Sequence, residues 1–187
     1  MRTLEAFRGR GPSSYVPWAV LGIAMVLWGV ALALTGDDLV GNRGLLTTFP
    51  LIWYGAVGAV VALCIWAVAA RKMASNGFLA ASTTGLVAML YASAAMVVSV
   101  PRLPWSYKHI AVTNYIGATG QVDPSIDIYN RWPGFFSVSA FMGEVVGYHN
   151  AVDYAALAEF GFAMLDVVVV LAIARTLTTN PRIYWTG

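Results

Sequence analysis

The sequence predicts an all-α polytopic membrane protein with four transmembrane helices. Two amphipathic interfacial helices are expected in the loop between the third and the fourth. Three observations carry this expectation. Of 187 residues, 59% are hydrophobic and only 11% are charged. A soluble domain carries about 25% charged residues, so this chain has too few charges to wet the outside of a globule of its size. Four apolar runs, 17–35, 50–70, 78–100 and 154–174, are about as long as the roughly 20 residues that cross a bilayer as helix. Aromatic residues flank several of these runs: Tyr15 and Trp18, Trp53 and Tyr54, Trp105 and Tyr107, and Tyr154. Such rings settle at headgroup depth.

No charge interrupts the first three runs, whereas the fourth contains Glu159 and Asp166. The first run is long and lacks the small-residue cleavage site of a removable signal. Arg2, Arg8, Arg10, Arg71, Lys72, Arg175 and Arg182 fall on one side of these spans. Arg43, Arg102, Lys108 and Arg131 fall on the other. The excess of cations predicts both termini in the cytoplasm, with the 101–153 loop outside the cell membrane. No linker divides the chain, which reads as one membrane domain over 1–187. Its last basic residue is followed by Ile183, Tyr184 and Trp185, the way another span begins. The expectation is an N-terminal fragment of a longer chain that packs with further transmembrane helices or a partner subunit.

The 101–153 loop is the polar part of the chain. Pro101 and Pro104 are expected to stop the third helix. Tyr107, Ile110, Ala111, Asn114 and Tyr115 then recur at helical spacing, which predicts a first interfacial helix ended by Gly117 and Gly120. Asp123-Pro124 predicts a turn, and Ser125 to Asn130 an extended stretch. Pro133 suits a first helical turn. Phe135 to Val146 reads as the second interfacial helix, closed by Gly147.

Several side chains here offer chemistry. Asp123 and Asp127 could hold a divalent cation, Mg or Mn, or act as bases. They could equally be structural, with Asp123 capping the turn before Pro124 and Asp127 capping the next structure or pairing with Arg131. Glu144 either snorkels outward or lines a cavity. His109 and His149 are possible proton carriers or ligands, yet neither has a second His or Cys at ligand spacing. Lys108, His109 and Arg131 make the loop basic enough for a phosphate or for lipid headgroups. In the fourth span, Glu159 and Asp166 share a helix face. Asp166 either is protonated, bonds Ser82, Thr83 or Thr84, or faces a helix from elsewhere. The single cysteine, Cys64, forms no internal disulfide. A net charge of +2 is too small and scattered for a nucleic-acid partner. Phosphate-loop, dinucleotide, zinc-protease and C-x-x-C motifs do not occur.

The segment Tyr107 to Gly120, followed by Tyr129-Asn130-Arg131-Trp132-Pro133-Gly134-Phe135-Phe136 through Gly147, resembles the first extracytoplasmic loop of membrane glycosyltransferases of the C-type (GT-C) fold. These include lipid A aminoarabinose transferases, protein O-mannosyltransferases and actinobacterial arabinosyltransferases. The wording Y-K-H-I and I-D-I-Y-N-R-W-P-G-F-F is similar to large actinobacterial glycosyltransferase-like proteins. The resemblance implies a polyprenyl-phosphate sugar donor, bound by Lys108, Tyr129, Arg131 and Trp132 beside membrane lipids. Where the family's loop carries its catalytic acid, this sequence has Trp105-Ser106-Tyr107. The loop also follows the third span here, where the family places it after the first. The base then falls to Asp123, Asp127 or His109, or transfer activity is lost. The alternatives are a non-enzymatic assembly or scaffold subunit, and a transporter subunit resting on Asp166.

Overall fold

The computed structural model describes residues 15–36, 47–70, 74–98, 101 and 104–186. These residues are all-α with no strand, and four helices are long and apolar enough to cross a membrane. The four are α1 (Val16–Ala33), α2 (Leu51–Ala69), the stretch Asn76–Val97 and α7 (Val152–Leu177). The third comprises α3 (Asn76–Val87), a π-helical turn (Ala88–Ala92) and α4 (Ser93–Val97). Each lies within a few residues of its sequence expectation. Between the third and fourth come α5 (Pro104–Thr119), a 3-10 turn (Ile128–Arg131) and α6 (Gly134–Val146). The short α8 (Pro181–Tyr184) follows α7. The expectations resting on Arg2, Arg8, Arg10, Arg43, Arg71, Lys72 and Arg102 lie outside the described residues.

Packing divides the chain into two compact units, one drawn from Met1–Ser93 with Ala163–Gly187, the other from Ala94–Phe162. In the first unit, α1, α2 and α3 meet through small and branched residues. Ala24, Ala56 and Val60 are buried with Leu21, Phe78 and Met89. Alanine lets helix backbones approach closely, which is how helices gain contact in lipid. The larger apolar residues point outward: Ile23, Val26, Val30 and Ile65 are exposed. Bilayer rather than water is the solvent that suits them.

Polar atoms in this unit are few and paired. The buried Ser93 hydroxyl accepts from Trp28 Nε1 at 2.8 Å and from Trp53 Nε1 at 3.1 Å. It donates to the Met89 carbonyl one turn back. One hydroxyl therefore ties α1, α2 and α4 together. It sits directly after the π turn, where the helical register slips. The carboxyl-terminal tail also docks in this unit. Arg182 Nη2 donates to the carbonyl of Ala70, which caps α2, at 2.6 Å. Trp185 Nε1 donates to Asn76 Oδ1 at 3.0 Å, and its ring packs against the core.

The second unit is an α5–α6 hairpin. Val112 and Ile116 of α5 bury against Phe136 of α6, with Tyr115, Tyr129 and Ala140 alongside. The start of α7 is pinned to it. Asn114 Oδ1 accepts from the backbone of Ala151 at 2.7 Å, and its Nδ2 donates to Asn150 at 2.8 Å. Asn150 in turn accepts from the Val152 backbone.

Three loop expectations are corrected. Pro104 opens α5 instead of stopping the helix before it, because a first-turn residue needs no N–H partner. Gly117 lies inside α5, which runs to Thr119 and ends at Gly120 with φ of 64°. Residues 125–130 are not extended; they form a turn and then the 3-10 turn. Asp127 causes this locally, accepting from the Tyr129 N–H at 3.0 Å. By contrast, α6 ends as expected. Gly147 adopts φ of 80°, and Tyr148 N–H returns to the Gly143 carbonyl at 2.8 Å. A Cβ on Gly143 would lie 2.7 Å from the Tyr148 carbonyl oxygen, so this reversal needs glycine at both places.

Replacing Ser93 with Ala removes the shared acceptor of two indoles. We expect a loss of about 1–2 kcal/mol, read as the shift in the SDS-unfolding midpoint of the detergent-solubilised protein. Ser82→Ala is the contrast. The buried Ser82 hydroxyl donates to Leu79 of its own helix, and its loss should shift the midpoint by under about 0.5 kcal/mol.

Candidate functional site

The second unit draws four of the seven sequence-chosen residues together. Lys108 and His109 leave one turn of α5, and Asp127 and Tyr129 come from the 3-10 turn. Lys108 Nζ lies 2.9 Å from Asp127 Oδ2 and 5.2 Å from the centre of the Tyr129 ring. The His109 ring meets Tyr129 edge-on at 5.0 Å and Phe136 at 5.5 Å. The cluster thus presents an ammonium and an imidazole on an aromatic wall, with a carboxylate holding the ammonium in place.

The remaining three stand apart from it. Asp123 forms its own turn, accepting from the Ser125 hydroxyl at 2.6 Å and backbone at 2.9 Å. Arg131 and Trp132 are exposed and make no side-chain bond or ring contact among the described residues. Of the two expectations for Asp127, capping the next structure is borne out and pairing with Arg131 is not; its ion-pair partner is Lys108. The 3-10 turn winds Arg131 away while Asp127 caps its start. In the same turn Asn130 is buried, and its Oδ1 has no protein donor among the described residues.

Electrostatics sort the acids. The Tyr129 N–H, then Lys108, hold Asp127 below the usual carboxylate value of 3.8. The Ser125 hydroxyl and N–H do the same for Asp123. Both are therefore weakened as bases. The bond to Asp127 raises Lys108 above 10.5, so its ammonium is secure. Glu144 is exposed and lies 3.3 Å from His149 Nδ1, and does not reach into the cluster. No three His, Cys, Asp or Glu side chains converge among the described residues. The donors present do not fit a divalent-cation site, since Asp127 and Asp123 already have other partners.

His109 also faces a second space. A cleft of about 190 Å³ in this unit is lined by Ser106, His109, Ile110, Phe135, Tyr154 and Glu159, among others. Its walls are largely apolar, with a few polar groups between them. That is the usual make-up of a small-molecule site. Tyr154 is fixed there by donating to the Ser139 carbonyl at 3.2 Å. Sequence reasoning did not assemble Ser106, Tyr154 and Glu159 with His109. The signal was the second stripe of α5: Ser106, His109, Ile110 and Thr113 fall at i, i+3, i+4 and i+7.

No known family, curated protein or solved structure matches this chain.

The Lys108–Asp127 contact should have a defined pH window. Asp127 is lowered, so its contribution is full above 3.8 and is lost as pH falls through its folded value. Lys108 is raised, so its contribution holds below 10.5 and is lost as pH rises through its own folded value. A reporter on the pair itself, the Lys108 side-chain Cε resonance, should stay nearly constant from about pH 5 to 9. It should move only at the two extremes, and Asp127→Asn should abolish the acid limb.

Proposed function

We propose that this chain is a glycosyltransferase-like protein of the cell membrane. Residues 104–162 bind a polyprenyl-phosphate sugar at headgroup depth, on the extracytoplasmic face, with both termini cytoplasmic. The observation that carries this reading is the placement of His109. It alone among the three base candidates lines the cleft, and its chain neighbour Lys108 holds a secure cation on an aromatic wall.

In this reading Lys108 meets the donor phosphate, exchanging part of its contact with Asp127. Tyr129 and Phe136 stack beside the lipid-linked group. The acceptor hydroxyl oxygen bonds to the anomeric carbon of the sugar. The bond from that carbon to the phosphate oxygen breaks, and the lipid phosphate leaves with the electron pair. His109 takes the hydroxyl proton, the general-base role most often filled by imidazole. The two loop aspartates are less suited to it, since their partners lower their basicity. Glu159, across the cleft, orients the imidazole or the acceptor. No step uses a cation, because the donor set does not form a site for one.

Purified protein in nanodiscs, offered a radiolabelled polyprenyl-phosphate hexose or pentose, tests the reading. His109→Asn should lower turnover by at least about 100-fold while leaving donor affinity within a few-fold. Lys108→Ala should weaken donor binding about tenfold, with Lys108→Arg restoring most of it. Absence of donor binding by the folded wild-type protein would overturn the proposal. For topology, Val122→Cys in a Cys64→Ala background should react with a membrane-impermeant maleimide in intact cells. Labelling only after permeabilisation would place the loop inside and remove the donor site with it.

A second reading, a non-enzymatic assembly subunit, is favoured by one observation: α7 buries none of its side chains. Donor binding with no turnover in any acceptor mixture, together with a stoichiometric partner, would favour it.

A further inference from the structure

The fourth span contains a carboxylate that the proposed reaction does not use. Asp166 sits near the middle of α7, roughly 16 Å from its nearer end by the rise of an α-helix. A hydrocarbon core is about 30 Å thick, so this places the carboxylate at depth. It makes no hydrogen bond or ion pair among the described residues. The hydroxyls expected from the sequence do not satisfy it. Ser82 is buried and bonds its own helix, and Thr83 faces the same space as Asp166 without bonding it.

That space is a groove of about 380 Å³ inside the first unit. Thr83, Val87 and Tyr91 form one wall, spaced one helical turn apart. Asp166, Val167 and Val170 form the other. The groove therefore follows two helices for about two turns. Tyr184 and Trp185 line it as well, and the Arg175 guanidinium stacks 5.2 Å from the Tyr184 ring. Arg175 is nine positions along α7 from Asp166, about 13 Å by helix rise, which is beyond direct pairing. The remaining walls are apolar. A lone carboxylate in such a groove requires a donor or a cation from elsewhere.

We infer that this groove receives a transmembrane helix that presents a Lys or Arg side chain to Asp166. Two features select a helix over a small amine. The groove is elongated along α3 and α7, as a ridge of side chains requires. The helix that carries Asp166 is also the only candidate span, among those described, with no buried residue, which leaves room for a further helix along it. Charge complementarity selects a basic residue, because the long stem of Lys or Arg can reach a carboxylate while its own helix stays in contact. This inference stands on the first unit alone and does not depend on sugar transfer.

The probe is a synthetic 21-residue leucine helix with one central lysine, carrying a dansyl acceptor. It is reconstituted with the full chain in phosphatidylcholine vesicles. Energy transfer from the chain's tryptophans measures association. The lysine helix should bind about 5- to 30-fold more tightly than an all-leucine helix, the range of interhelical polar contacts in bilayers. Asp166→Asn should erase that preference, and Asp166→Glu should keep most of it, with circular dichroism confirming that both variants fold. Equal binding of the two helices, or a preference that survives Asp166→Asn, would overturn the inference. Binding of dodecylamine in an Asp166-dependent way, with no preference for the lysine helix, would also overturn it in favour of a small amphiphilic amine.

Discussion

Hydrocarbon offers a polar atom nothing to bond, and that constraint explains most of this structure. In the first unit it is answered at Ser93. Two indole N–H groups on separate helices, Trp28 and Trp53, would be costly to bury without acceptors. Both find one at the same hydroxyl, which fixes where α1 and α2 stand against the π turn. Apolar contacts alone are a poor guide to register in lipid, since tails and leucines are equally greasy. Here the polar contact chooses the register, and Ala24, Ala56 and Val60 then allow the close approach.

In the second unit, hydrogen bonds perform the positioning and rings supply the walls. Asn114 and Asn150 tie α5 to the start of α7. The α6 carboxyl end reverses sharply through Gly147, which carries the chain back past Gly143. His109 stands between two environments as a result, with Tyr129 and Phe136 on one side and the mixed cleft on the other. In the proposed reading, an imidazole at such a boundary reaches both a charged group at the surface and a substrate inside the cleft. The Lys108–Asp127 pair has a different role. It is exposed and of little value for stability, but it keeps the ammonium pointing at Tyr129.

Much of this was legible in the sequence, and the reasons are physical. Four runs of apolar residues announce themselves by length, because nothing but a bilayer calls for them. The end of α6 was legible because Gly147 follows a continuous apolar stretch. The 3-10 turn was not. It depends on the Asp127 carboxylate accepting from the Tyr129 N–H, a local bond that competes with an extended backbone. Nor could spacing reveal that Lys108 would choose Asp127 over the solvent. That contact spans the hairpin and exists only once α5 and α6 pack. The cost of the acids in α7 is legible in the sequence, whereas the spaces they face depend on how the helices pack.

The tail carries a further consequence. Arg182 donates to the Ala70 carbonyl over 2.6 Å, a distance that cannot reach through a bilayer. Those two residues must lie on one side of the membrane. The chain between them therefore crosses an even number of times. Among the described residues there, the stretch Asn76–Val97 and α7 are the two helices long enough to cross, so they traverse together or not at all. Parity, fixed by a single guanidinium, thus couples the fates of two helices whose hydropathies would otherwise be judged one at a time.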